Sequence, residues 1–257
     1  MKKISEKSIF FGSYSFFLSM AAVIAAVAVI VSSPVVRMTK EETAYLADSE
    51  AQVSAPYPKI IIDAGHGGED GGAKAADGTL EKDINLNIAK YVYTLLTALG
   101  CDCVMTRDSD VMLSEGEARS KKLCDLKNRV AFTDGGDCVF ISIHQNKFPQ
   151  KSCSGTQVYY SKNDTRSEKL AAVIRENTQA YLQKNNTRQI KRAGSEIFVL
   201  DRCTVPAVLV ECGFLSNPAE LELLKTEEYQ KKLGCVIALS VIDFLSIDME
   251  KTTDTRY

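Results

Sequence analysis

From Lys59 onward the chain alternates short, continuous apolar runs with longer stretches of helical period. Residues 59–63 (KIIID) predict a strand buried on both faces, because a half-exposed strand would show a polar residue at every second position. Across 81–99, apolar residues at Ile84, Leu86, Ile88, Ala89, Val92, Leu95, Leu96 and Leu99 fit an amphipathic helix stopped by Gly100. The same reading predicts a strand at 101–106, a mainly helical stretch at 113–132 and strands at 137–143 and 155–160. A helix at 167–182, a short strand at 197–199, a strong strand at 207–210 and closing helices at 218–224 and 227–247 complete the pattern. Alternation of this kind predicts an α/β sandwich with a largely parallel, buried sheet.

Upstream the pattern changes. Residues 9–31 form a 23-residue run without a charged side chain, preceded by Lys2, Lys3 and Lys7. As a helix it would be about 34 Å long, enough to cross roughly 30 Å of hydrocarbon. The leading lysines place the N-terminus in the cytoplasm and the rest of the chain outside. A cleaved signal peptide is the rival, since Ala26-Val27-Ala28 resembles a small-x-small cleavage site. The run exceeds a signal core and no polar stretch precedes that site, so a retained anchor is the expectation. If the segment is instead cleaved, the protein is secreted. The expected partition is 1–31 membrane anchor or signal segment, 32–58 linker, 59–248 main domain and 249–257 C-terminal tail.

Composition adds two exclusions. Lys and Arg number 31 against 33 Asp and Glu, and within 59–248 the balance is 24 against 26. A nucleic-acid partner is therefore not expected, since such proteins carry a basic excess. The eight cysteines are scattered without a CxxC pair, and several sit in apolar runs (Cys138 before Val139-Phe140, Cys235 before Val236-Ile237). They are expected to be buried thiols behaving as small hydrophobes rather than a disulfide framework.

The chain holds only two histidines, His66 and His144, and both follow buried strands. In open α/β sheets ligands bind beyond the carboxyl ends of strands. Glu211 follows the apolar strand 207–210, and Glu81 opens the long helix after a glycine-rich segment. Each has a bland reading when taken alone. A strand-end histidine is often structural, and Glu81 could simply complement a helix dipole. The segment 67–72 lacks the Lys-Ser/Thr of a phosphate loop. Glu211 is harder to dismiss, because a carboxylate at the end of an apolar strand is costly to bury unless paired or metal-bound. Together, two imidazoles and one carboxylate suit Zn²⁺ with a coordination position left open, and a second carboxylate could serve as general base.

The pieces IIIDAGHGGEDGGA, LEKDINLNIA, SIHQN and VLVECGFLSNPAE, in this order between about Lys59 and Leu245, resemble the zinc-dependent N-acetylmuramoyl-L-alanine amidases of bacterial cell walls, the amidase-3 family. The short form SIHQNKF, the absence of wall-binding repeats and the N-terminal apolar run are most similar to its germination-specific spore-cortex subgroup (CwlD type). The resemblance implies a three-layer α/β sandwich with a mixed, mostly parallel sheet of about six strands flanked by helices. It implies one Zn²⁺ per chain held by His66, Glu81 and His144, with Glu211 as the catalytic carboxylate. Asn146 and Arg129 also fall at family-like positions, with an expected substrate-binding or structural role. The implied partners are peptidoglycan, the membrane through the N-terminal segment, and an accessory activating protein. The implied location is outside the cytoplasmic membrane, facing the cortex space in a sporulating cell. Two other readings compete: a zinc peptidase or deacetylase acting on another cell-wall amide, and a non-catalytic anchored peptidoglycan-binding protein.

Overall fold

Ile60, Ile61 and Ile62 are all fully buried in strand β1 (Lys59–Ala64). Removing each side chain from water contributes about 1.5–3 kcal/mol, and a strand sends successive side chains to opposite faces. Ile60 and Ile62 accordingly join one core with Ile84, Ile88 and Val92, while Ile61 joins a second with Phe140, Leu200 and Leu209. Two cores on one sheet make three layers. The structure is a computed structural model that describes residues 57–114 and 120–254. The expected anchor at 1–31 and nearly all of the linker lie outside the described residues. Among the described residues no helix is long and apolar enough to cross a membrane.

The further elements are α1 (Glu81–Ala98), β2 (Cys103–Met105), α2 (Lys121–Ala131), β3 (Cys138–Asn146), β4 (Gln157–Tyr160), α3 (Arg166–Tyr181), β5 (Lys191–Arg192), α4 (Phe198–Arg202), β6 (Ala207–Phe214), α5 (Pro218–Leu224) and α6 (Glu227–Asp254). Six strands form one sheet in the order β2-β1-β3-β6-β4-β5. β2, β1, β3 and β6 run parallel, β4 runs antiparallel to β6, and β5 is parallel to β4. The mixed, mostly parallel sheet of the α/β expectation is what the chain forms. α1 and α3 pack against α6 on one face, and α4 packs on α2 on the other.

α1 shows how the local sequence places chemistry. Its buried residues Glu81, Ile84, Asn85, Ile88, Ala89, Val92 and Leu96 recur at three- and four-residue spacing, so Glu81 and Asn85 share the apolar stripe that faces the sheet. The helix ends at Leu99, followed by Gly100 at φ +84°, a left-handed stop that suits glycine.

Several expectations shift. The expected strand at 197–199 is instead α4, which buries the consecutive residues Val199 and Leu200 against the second core. Three apolar residues in a row cannot by themselves distinguish strand from helix. The edge position is taken by the two-residue β5, exposed and basic, which the apolar pattern does not mark. Helix α2 begins only at Lys121, where the Ser120 side chain accepts a hydrogen bond from the Leu123 N–H at 3.4 Å. β3 and β6 continue through His144 and Glu211 to Asn146 and Phe214, so both residues lie within strands rather than after them. α6 runs on to Asp254. All eight cysteines are free; Cys101, Cys138, Cys203 and Cys212 are buried, but Cys235, expected inside, is exposed on α6.

Candidate metal centre

β1 lies between β2 and β3, so the crossover from β1 to β2 runs one way and the crossover from β2 to β3 runs back past β1. Beyond the carboxyl ends of strands at such a reversal the chain opens a crevice suited to a ligand. His66 follows β1 by two residues, and His144 lies on β3 next to it. Their rings meet edge to face with centroids 4.9 Å apart.

Glu81 stands between them. Its Oε1 is 2.8 Å from His144 Nδ1 and its Oε2 is 3.3 Å from His66 Nε2. The backbone N–H groups of Gln145 and Ala73 donate to the same carboxylate at 3.1 and 2.7 Å. Burial alone would raise the Glu81 carboxyl, but the bonds and charges of His144 and His66 outweigh it and hold the group below the usual carboxylate range. Burial would lower the His66 imidazole, but Glu81 and Asp70 prevail and raise it. Asp70 Oδ2 sits 2.9 Å from His66 Nδ1, which fixes that ring's orientation. A carboxylate behind a metal-binding imidazole is a recurrent outer partner. Sequence reasoning passed over Asp70; its signal was a carboxylate four residues after the histidine.

The glycines make this closeness possible. A Cβ at Gly65 would fall 2.2 Å from His144 Nε2. At Gly72, which has φ +65°, it would fall 2.6 Å from both Glu81 Oε2 and His66 Cδ2.

Glu211 stands in register with His144 on the neighbouring parallel strand β6. It lines a cleft of about 240 Å³, with α2 on one side and the 196–199 segment on the other. Glu81 does not line that cleft. Glu211 Oε2 is buried without a hydrogen-bond partner, and burial, reinforced by Glu81 and opposed by His144, pushes its carboxyl up to about 7.

Among the described residues, His66, Glu81 and His144 are a set whose potential ligand atoms all lie within 4.8 Å of one another. Two nitrogens and one carboxylate oxygen match the donor preference of Zn²⁺, and the unpartnered Glu211 oxygen beside them fits a cation or a polar ligand in the cleft.

Arg129 borders the cleft, and its bonds favour the structural side of the substrate-binding or structural expectation. It is only 2% exposed, and its five N–H groups go to Asp63, Asp125 and the carbonyls of Ala64 and His66 at 2.6–3.3 Å. None is left for a substrate, so Arg129 braces the His66 loop from beneath. Asn146 closes β3, its carbonyl accepting from the Leu215 N–H at 2.8 Å, and it does not line the cleft.

A family model described as N-acetylmuramoyl-L-alanine amidase matches residues 60–243. The germination-specific N-acetylmuramoyl-L-alanine amidase of Bacillus subtilis is 36% identical over 192 residues, covering 73% of this chain and 79% of that protein. The CwlD amidase of Clostridioides difficile, solved in complex with the GerS lipoprotein, is 38% identical with a TM-score of 0.71, covering 74% of this chain and 99% of that one. The AmiC2 amidase of Nostoc punctiforme is 29% identical with a TM-score of 0.63, covering 74% and 97%.

Proposed function

Because the chain belongs to the N-acetylmuramoyl-L-alanine amidase family, amidase-3, we propose that its cleft hydrolyses the amide between the lactyl group of N-acetylmuramic acid and the L-alanine of the stem peptide, with His66, Glu81 and His144 as zinc ligands and Glu211 as the catalytic carboxylate. The observation that carries this is the division of labour between the two glutamates: Glu81 is engaged by both imidazoles, while Glu211 faces the cleft with an unpartnered oxygen.

A bound zinc ion supplies Lewis acidity, polarising the scissile carbonyl and acidifying the attacking water. The protein's part is positioning and proton transfer. His66 and His144 present ring nitrogens, kept in orientation by Asp70 behind the first ring and by β3 beneath the second. Glu211 accepts the proton of the attacking water and returns it to the alanine nitrogen as the carbon–nitrogen bond breaks. The products are the lactyl carboxylate and a stem peptide with a free amine.

The spore-cortex setting is supported by similarity to the germination-specific amidase and to CwlD. An accessory lipoprotein fits the same reading, since that CwlD was solved with GerS. Export with retention at the membrane rests on the 9–31 apolar run. The test is to incubate the purified, zinc-loaded full chain with isolated peptidoglycan and identify the products by mass. Stem peptides with a free L-alanine amine are expected. Cleavage only within the peptide, or deacetylation of the glycan, would overturn the proposal.

A further inference from the structure

His66 has φ +61°, the one positive value at a non-glycine residue among the described residues. Left-handed backbone is uncommon for a residue with a Cβ, histidine adopting it more readily than most, and its surroundings must hold it there. The surroundings include a second buried arginine besides Arg129. Arg107, 3% exposed, donates from Nε to the Ala64 carbonyl at 2.8 Å and from Nη2 to the Gly65 carbonyl at 3.0 Å. The same Nη2 reaches the Lys82 carbonyl at 2.8 Å, and Nη1 reaches that of Ser109 at 3.0 Å. One planar guanidinium thus ties the two residues before His66 to the residue after Glu81.

We propose that Arg107 is a positioning residue that holds His66 and Glu81 at the mutual geometry a metal ion requires. The inference rests on the zinc-site reading above.

Three observations separate this role from ordinary packing. First, Arg129 is paired directly with Asp63 and Asp125, whereas the Arg107 hydrogen bonds all go to backbone carbonyls, with Asp63, Asp110 and Asp125 attracting it only from beyond ion-pair distance. A fork whose donors all go to carbonyls ties backbone segments together rather than matching a charge. Second, the chain makes room for it: a Cβ at Gly67 would fall 2.9 Å from Arg107 Nε and 2.2 Å from the Val111 carbonyl. Third, Asn85 repeats the same linkage, donating to the Gly65 carbonyl at 3.1 Å and to Glu81 Oε1 at 3.3 Å. A lysine could not reproduce the Arg107 contacts, since a single ammonium cannot span the carbonyls that the planar fork reaches.

The experiment compares the full chain in detergent with Arg107→Lys, Arg107→Gln and Ile174→Ala, all stripped of metal and titrated with zinc against a competing chelator. Ile174 is fully buried on α3, so its truncation weakens the fold without touching the His66 loop. Zinc affinity per folded molecule is expected to fall about 10–100-fold in both Arg107 variants, while Ile174→Ala keeps the affinity of the unaltered chain. Arg107 variants that bind zinc as tightly as the unaltered chain would overturn the proposal. So would an equal loss in Ile174→Ala, or failure of both Arg107 variants to fold with and without zinc, since the role would then lie in the fold. If the unaltered chain binds no zinc, the metal-site reading fails and this proposal fails with it.

Discussion

His144 and Glu211 occupy register positions opposite each other on the parallel strands β3 and β6, yet their surroundings differ. The His144 imidazole is taken by Glu81 at 2.8 Å, while Glu211 keeps a buried oxygen without a partner. Adjacent strands thus set a candidate ligand beside a candidate base.

Glu211→Gln should leave zinc bound and lower turnover about 10²–10⁴-fold, roughly 3–5.5 kcal/mol of barrier, because glutamine is nearly isosteric but cannot accept the water's proton. Glu81→Gln should instead lose zinc, since Glu81 is the carboxylate between the imidazoles. Zinc content and rate for both variants check the assignment; the inverted pattern would falsify it.

Removing zinc with a chelator should abolish hydrolysis and lower thermal stability, and adding zinc should restore both. A ligand at 100 times its Kd stabilises by about 2.7 kcal/mol, roughly 5–10 °C for a domain of this size. Equal melting temperatures with and without zinc would count against a metal site in the folded chain.

Gly65→Ala should impair metal binding more than its small added volume suggests. The new methyl group would meet His144 Nε2 at 2.2 Å and push that ring away from Glu81. Zinc titration of the folded variant measures the effect.

Arg129→Gln should destabilise the fold by about 3–5 kcal/mol, because it leaves the Asp63 charge buried and unpaired. Burial would raise the Asp63 carboxyl, but Arg129, Ser142 and Thr106 hold it below the ordinary value. A depressed folded pKa means this stability is present above the unfolded value of about 3.9 and is lost as pH falls through the folded one. Denaturant unfolding of metal-free protein should therefore show an acid-side decline that is smaller in the variant.

Fractionation of cells should place the protein with the membrane, given the uncharged run at 9–31. A mature N-terminus near Val29 would show cleavage instead.

Apolar periodicity made the central strands, α1 and the α/β class legible, because burial on one or both faces of an element leaves its period in the residues themselves. His66, His144 and Glu211 were legible as chemistry because each comes after an apolar strand that has no need of it, whereas Glu81 taken alone read as a helix-dipole residue and was singled out by the family resemblance. The family resemblance already implied Glu81 as the ligand; how it reaches both imidazoles was decided only in three dimensions, where the buried stripe of α1 turns Glu81 toward the ends of β1 and β3. The clamp by Arg107 was likewise unreadable, since its partners are backbone carbonyls, most of them far away in the chain, and carbonyls are the same at every residue. Arg129 bonds Asp125 four residues before it, but its convergence with Asp63 and the carbonyls of Ala64 and His66 exists only in the fold. Helix α4 and the two-residue β5 were settled by what the sheet still had to cover, a property of the assembled layers and not of the few residues that do the covering.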